Sequence, residues 1–134
     1  MSEIILLDTH IWYWFVNEEY ERFPFRWRKQ IAEANIAGVA SISCYEIALA
    51  HQKGKLELPC STEVWLEQAL QPSGIQLFPL TPAIACRATA LSPIHKAPFD
   101  RLIIATALVL KAMLASIDNN FAHYPELAEN LMQP

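Results

Sequence analysis

The sequence predicts an α/β fold, with a central, mainly parallel sheet covered by helices on both faces. Three observations carry that expectation. Four short apolar runs are rich in β-branched or other strand-compatible residues and lack the polar alternation of half-exposed strands. Segments of helical length, punctuated by proline, glycine and capping residues, separate them. The alternation of the two kinds of segment is the pattern of successive βαβ units.

Each element follows in order. "EIILL" (3–7) is the first buried strand, and "THIWYWFV" (9–16) a helix with Thr9 as its possible cap. "RFPFRWRKQIAEANIAG" (22–38) has Pro24 near a helix start and Gly38 at its stop. "VASIS" (39–43) is the second strand, and "CYEIALAHQKGKL" (44–56) a helix that holds Glu46 in its first turn and stops at Gly54. "STEVWLEQALQ" (61–71) is a helix opened by Ser61 between Pro59 and Pro72, and "IQLFPL" (75–80) is the third strand. "TPAIACRATAL" (81–91) and "APFDRLIIATALVLKA" (97–112) each place a proline, Pro82 and Pro98, where a helix begins. "MLASI" (113–117) closes the sheet, and "NNFAHYPELAENL" (119–131) is a turn and a short helical tail.

The 134 residues suit one domain spanning 1–134, and 53% hydrophobic against 18% charged residues supply a core. The longest apolar run, 102–117, is interrupted by Lys111 and is shorter than the roughly 20 residues of a membrane span. No basic stretch or small-residue cleavage site marks a secretion leader. Three widely spaced cysteines without a CxxC argue against disulfides and zinc, so Cys44, Cys60 and Cys86 are expected as small core residues of a cytoplasmic protein with no membrane partner.

The acids are unevenly distributed: eleven are glutamates and only three are aspartates, Asp8, Asp100 and Asp118. Asp8 and Asp118 directly follow predicted strands, Glu46 lies four residues past Ile42, and Asp100 opens the helix before the last strand. In parallel sheets, ligands bind outside the carboxyl ends of the strands where strand order reverses. The apolar stretch from 101 to 117 is long enough to run away as a helix and return as a strand, which brings Asp100 and Asp118 to one edge. Four crowded carboxylates repel one another, and a hard divalent cation such as Mg²⁺ is their natural partner. A net charge of −4 disfavours a nucleic-acid partner at first sight, yet setting these four aside leaves ten acids against ten cations.

With those residues placed, the chain resembles the PIN-domain ribonucleases, and among them the VapC-type toxins of prokaryotic toxin–antitoxin pairs. "LLDTHIWYWF" is similar to the family's first acid motif and "SISCYEIALAHQKGKLEL" to its glutamate helix. "HKAPFDRLIIATAL" and "LASIDNNFAHYP" match its last two acid motifs in order and spacing. The resemblance implies a PIN-like three-layer α/β/α sandwich, Mg²⁺ or Mn²⁺ dependence, RNA cleavage by metal-assisted hydrolysis, a homodimer, and a cognate antitoxin. It further implies Asp8, Glu46, Asp100 and Asp118 as catalytic and metal-binding residues, with Thr9 supporting that shell. Two departures stand out: Ala97 occupies a position where relatives commonly carry an acid, and the usual final strand is reduced to "NLMQP".

Around this site, Lys96 and Arg101 are candidate phosphate contacts, and Arg26 with Trp27 a candidate RNA contact, a backbone grip and a stacking ring. Trp12, Trp14 and Phe15 exceed what one short helix buries within itself and are candidates for a dimer or antitoxin interface. His10, His51, His95 and His123 are scattered and are expected in structural or surface roles. A phosphoacceptor receiver domain is a poor alternative, because no aspartate stands between Asp8 and Asp100. A PIN-fold module that binds RNA or protein without cleaving is the alternative left open.

Overall fold

A computed structural model describes residues 3–94 and 96–134. Four parallel strands form the sheet, β1 (Ile4–Leu7), β2 (Ile36–Ala40), β3 (Ile75–Phe78) and β4 (Met113–Ala115), in the order β3-β2-β1-β4. Among the described residues six α-helices accompany them: α1 (Thr9–Val16), α2 (Phe25–Glu33), α3 (Ile42–Gln52), α4 (Thr62–Gln68), α5 (Pro82–Thr89) and α6 (Pro98–Leu110). The expected α/β architecture with a parallel sheet is what forms.

The strands other than edge strand β3, whose Gln76 and Leu77 are exposed, are covered on both faces, and period two sorts their side chains. Ile5, Leu7, Ala37 and Val39 belong to one core with Ile11, Trp12, Trp27, Ile31 and Trp65. Leu6, Ala40 and Leu114 belong to the other with Ile103, Ile104, Ala107 and Tyr124. Each residue shifts its side chain to the opposite face from its neighbour, so every strand serves two helical layers at once.

Strand order sets where a site can form. The chain moves outward from β1 to β2 and β3, then crosses back so that β4 lies on the other flank of β1. Ile5 is in register with Ala37 on one side and Met113 on the other. The reversal falls between β1 and β4, and the crevice at their carboxyl ends is where open α/β sheets hold ligands.

Several sequence-based boundaries shift. The second strand is Ile36–Ala40 rather than 39–43, and α2 ends at Glu33. Gly38 therefore lies within a strand instead of stopping a helix. A Cβ at Gly38 would come 2.4 Å from Phe78 Cε2 and 2.6 Å from the Gln76 carbonyl oxygen, so the glycine is required by the close approach of β3. The tail forms two 3₁₀ turns, Phe121–His123 and Pro125–Leu127, and the reduced final strand survives as one parallel bridge, Leu131 to Leu114.

The cysteine expectation is also corrected. Cys60 and Cys86 are exposed and Cys44 is half-buried, so none is a core residue. His10 and His123 are exposed and His51 is half-buried, whereas His95 lies outside the described residues. No helix among the described residues is long and apolar enough to cross a membrane.

Candidate metal centre

Asp8 stands one residue past β1 and is the N-cap of α1, a role the sequence reading gave to Thr9. Its Oδ1 accepts from the Thr9 amide at 2.8 Å, satisfying a helix-start donor that has no partner within the helix. Its Oδ2 accepts from the Ser116 hydroxyl, also at 2.8 Å, so the carboxylate is held from both sides.

Glu46 projects from the second turn of α3, one turn later than expected, because Ile42 opens the helix and does not end a strand. Thr9 is buried and donates its hydroxyl to Glu46 Oε1 at 2.6 Å. The Thr9 oxygen also lies 2.8 Å from the Ser43 hydroxyl. A hydroxyl has one proton, so Thr9, having given its own to Glu46, accepts from Ser43. The result is a directed relay from Ser43 through Thr9 to Glu46.

Asp100 lies in the first turn of α6. Its negative charge is felt at both Asp8 and Glu46, and Asp8 is felt at Glu46. Burial is the leading cause that pushes the Asp8 carboxyl up to about 6, and Asp100 adds to it against the hydrogen bonds from Ser116 and Thr9. Glu46 is raised to about 7, again by burial first, with the charges of Asp8 and Asp100 adding and the Thr9 bond opposing. The structure thus brings together three of the four predicted acids.

Asp118 is tied to that trio through Ser116. It lies three residues beyond Ala115, where β4 ends, not directly after the strand. Its Oδ1 accepts from the Asn120 amide at 2.9 Å, a local turn, and its own amide donates to Ser116 Oγ at 3.1 Å. Ser116 is therefore the link between Asp118 and Asp8. A surface cleft lined by Trp27, Ser116, Asp118 and Asn119 opens beside it. Sequence reasoning missed Ser43 and Ser116. The signal available was a serine within two residues of a predicted strand end in both "SIS" and "SID".

The donors are all oxygens, which is the chemistry a hard cation selects. Among the described residues no three acidic, histidine or cysteine side chains approach closely enough to hold an ion by themselves as they stand. The raised proton affinities of Asp8 and Glu46 favour a cation, since one among them would relieve what burial and repulsion impose.

The flanking candidates divide. Arg101 is committed to backbone: Nη2 donates to the carbonyls of Ala88 (2.9 Å) and Leu91 (3.0 Å), and Nη1 to Ser92 (3.0 Å). It clamps the end of α5, and its expected role as a phosphate contact is corrected accordingly. Lys96 is exposed. Trp27 is 1% exposed and gives its indole N–H to the Gln133 carbonyl, so it cannot stack an RNA base, while Arg26 is exposed and donates to the Pro134 carbonyl at 2.8 Å. Trp12 is fully buried with its N–H on Ala69 and is core, not interface. Trp14 and Phe15 are only partly covered, packing against that core.

Fold and site together define a small parallel-sheet protein with carboxylates gathered at its switch point, and the chain belongs to the PIN-domain family, which it matches over residues 5–127. Within that family it is 33% identical over 105 residues to the Ribonuclease VapC22 of Mycobacterium tuberculosis, covering 78% of each chain. Its fold is shared with the VapBC2 assembly of Rickettsia felis bound to a promoter DNA fragment (TM-score 0.68, 18% identity, 96% of this chain and 97% of that one). It is shared too with a toxin–antitoxin complex from Klebsiella pneumoniae (TM-score 0.62, 22% identity, 97% of each chain).

Proposed function

We propose that this protein is a metal-dependent endoribonuclease, the toxin of a toxin–antitoxin pair, that hydrolyses RNA phosphodiester bonds in the cytoplasm. The observation that carries the reading is the convergence of Asp8, Glu46 and Asp100, from three separate elements, closely enough that Asp8 feels the charge of Asp100 and Glu46 feels those of both aspartates. Kinship to a protein named as a ribonuclease supplies the substrate class. Structural neighbours that are toxin–antitoxin assemblies support an antitoxin partner, and a homodimer is the form we assign.

Asp8, Glu46 and Asp100 would hold Mg²⁺ or Mn²⁺, with Asp118 entering through Ser116 and an outer contact. Bound there, the ion supplies Lewis-acid polarisation of a phosphate oxygen and acidifies attacking water. The protein's own part is orientation. Ser116 and the Thr9 amide fix the Asp8 carboxylate, and the Ser43–Thr9 relay aims Glu46 and favours its ionised form.

The test is cleavage of a mixed single-stranded and structured RNA pool by purified protein with Mg²⁺, Mn²⁺ or EDTA. Metal-dependent cleavage that both Asp8→Asn and Asp100→Asn abolish is the expected result. A folded, metal-binding protein that cleaves nothing in either metal would instead favour the non-cleaving binding module.

A further inference from the structure

Two aromatic residues adjoin the site's carboxylates in sequence. Tyr45 immediately precedes Glu46 on α3, and Phe99 immediately precedes Asp100 on α6. Their rings meet edge to face, with centroids 5.5 Å apart and planes at 82°. Despite that contact Tyr45 remains 54% exposed. The contact ties together the two helices that carry Glu46 and Asp100, and the exposed tyrosine also lines a surface groove with Ala48, Leu49, Gln52 and Thr62.

We propose that Tyr45 stacks a base of single-stranded RNA at the mouth of the site; this rests on the ribonuclease reading above. Charge is the first reason. The site presents carboxylates, and the guanidinium next to Asp100 is spent on the carbonyls of Ala88, Leu91 and Ser92, so it is not available to hold phosphate. Exposed Lys96 is then the cation nearest Asp100 in sequence that is left for phosphate, and stacking on an aromatic face is the sequence-tolerant contact that single strands offer besides ion pairs. Geometry is the second. Phe99 supports the edge of the tyrosine, which fixes the ring before ligand arrives and lowers the ordering cost of binding. Buried Trp27, the ring the sequence suggested for this task, cannot perform it.

The experiment measures binding of a fluorescein-labelled, mixed-sequence single-stranded RNA dodecamer to the full chain with Asp100→Asn, and cleavage of the RNA pool by the protein with Asp100 intact. Added to each, Tyr45→Ala should weaken binding, and raise KM, on the order of tenfold to a hundredfold, with kcat and the salt dependence of binding little changed. Tyr45→Phe should bind as the parent does. Tyr45→Leu, which keeps an apolar contact with Phe99 but has no π face, should behave as Tyr45→Ala. Unchanged binding in Tyr45→Ala overturns the proposal, as does rescue by Tyr45→Leu, which would make the residue a helix spacer. A loss that accompanies a change of oligomeric state in light scattering overturns it in favour of a protein interface. If the protein with Tyr45 and Asp100 intact cleaves no RNA, the ribonuclease reading fails first; cleavage retained with stacking lost separates the two.

Discussion

The Ser43–Thr9–Glu46 relay is a small feature with a decisive consequence at the residue scale. Thr9 contributes its backbone amide to Asp8 and its hydroxyl to Glu46, so one residue in the first turn of α1 touches two of the acids. Its hydroxyl is among the influences that lower the Glu46 proton affinity, against burial and the two neighbouring aspartates. Thr9→Val keeps the shape and the amide but removes the proton that Glu46 accepts and the acceptor that Ser43 uses. A buried polar group left without its partner costs about 1–3 kcal/mol, which thermal melting will show. Without the donor, Glu46 holds its proton more tightly, so the acid limb of the cleavage profile moves to higher pH. Thr9→Ser restores both effects. An unchanged pH profile in Thr9→Val would mean that the hydroxyl does not tune Glu46.

Among the elements, the hairpin of α5 and α6 shows how a charged side chain can be structural while standing next to a catalytic candidate. Arg101 reaches back from the first turn of α6 and closes three carbonyls at and beyond the end of α5, and Glu126 grips Ser92 from the other side through the Ser92 amide (2.7 Å) and hydroxyl (3.0 Å). The segment that leads into Asp100 is thus clamped at both flanks. Arg101→Lys keeps the charge, but an ammonium on a flexible stem cannot span three carbonyls as a planar fork does. Stability should fall by about 1–3 kcal/mol, and cleavage should fall with it because Asp100 loses its fixed approach. Cleavage unchanged with stability reduced would separate the clamp from the site. Such a role was not legible in the sequence, where "DR" reads equally as a carboxylate and a phosphate contact. The same limit explains Gly38: a glycine after "IA" looks like a helix stop, and only the passage of Phe78 over it shows why a strand needs it. Positions of Asp8 and Asp100 were legible because a buried strand and a proline-opened helix fix their edges locally. Asp118 was misplaced by two residues because β4 is only three residues long and its end is set by pairing with β1. Trp12 and Trp27 were misjudged for a different reason: each indole finds a distant backbone acceptor, on Ala69 and Gln133, that no local pattern announces.

For the whole molecule, the buried carboxylates are a stress on the fold that a cation bound among them would remove. Asp8 rises from 3.8 to about 6 and Glu46 from 4.5 to about 7 in the metal-free protein. Both acids hold protons more tightly folded than unfolded, so between those limits the native state carries the greater number of protons. Stability then falls as pH rises through the window from about 4 to about 7, the reverse of the behaviour of a salt-bridged carboxylate. A cation that binds the ionised carboxylates of the native state adds stability by mass action, and it adds most where those groups are ionised. Melting temperatures in EDTA should therefore decline from about pH 5 to about pH 8, and Mg²⁺ or Mn²⁺ should restore them at the upper end with little effect at the lower. Glu46→Gln removes one of the repelling charges, so at about pH 8 it should melt higher than the unsubstituted chain without metal and gain less from metal. A flat melting profile in EDTA, or a metal response of equal size at both ends of the range, would show that these carboxylates are not under the strain assigned to them.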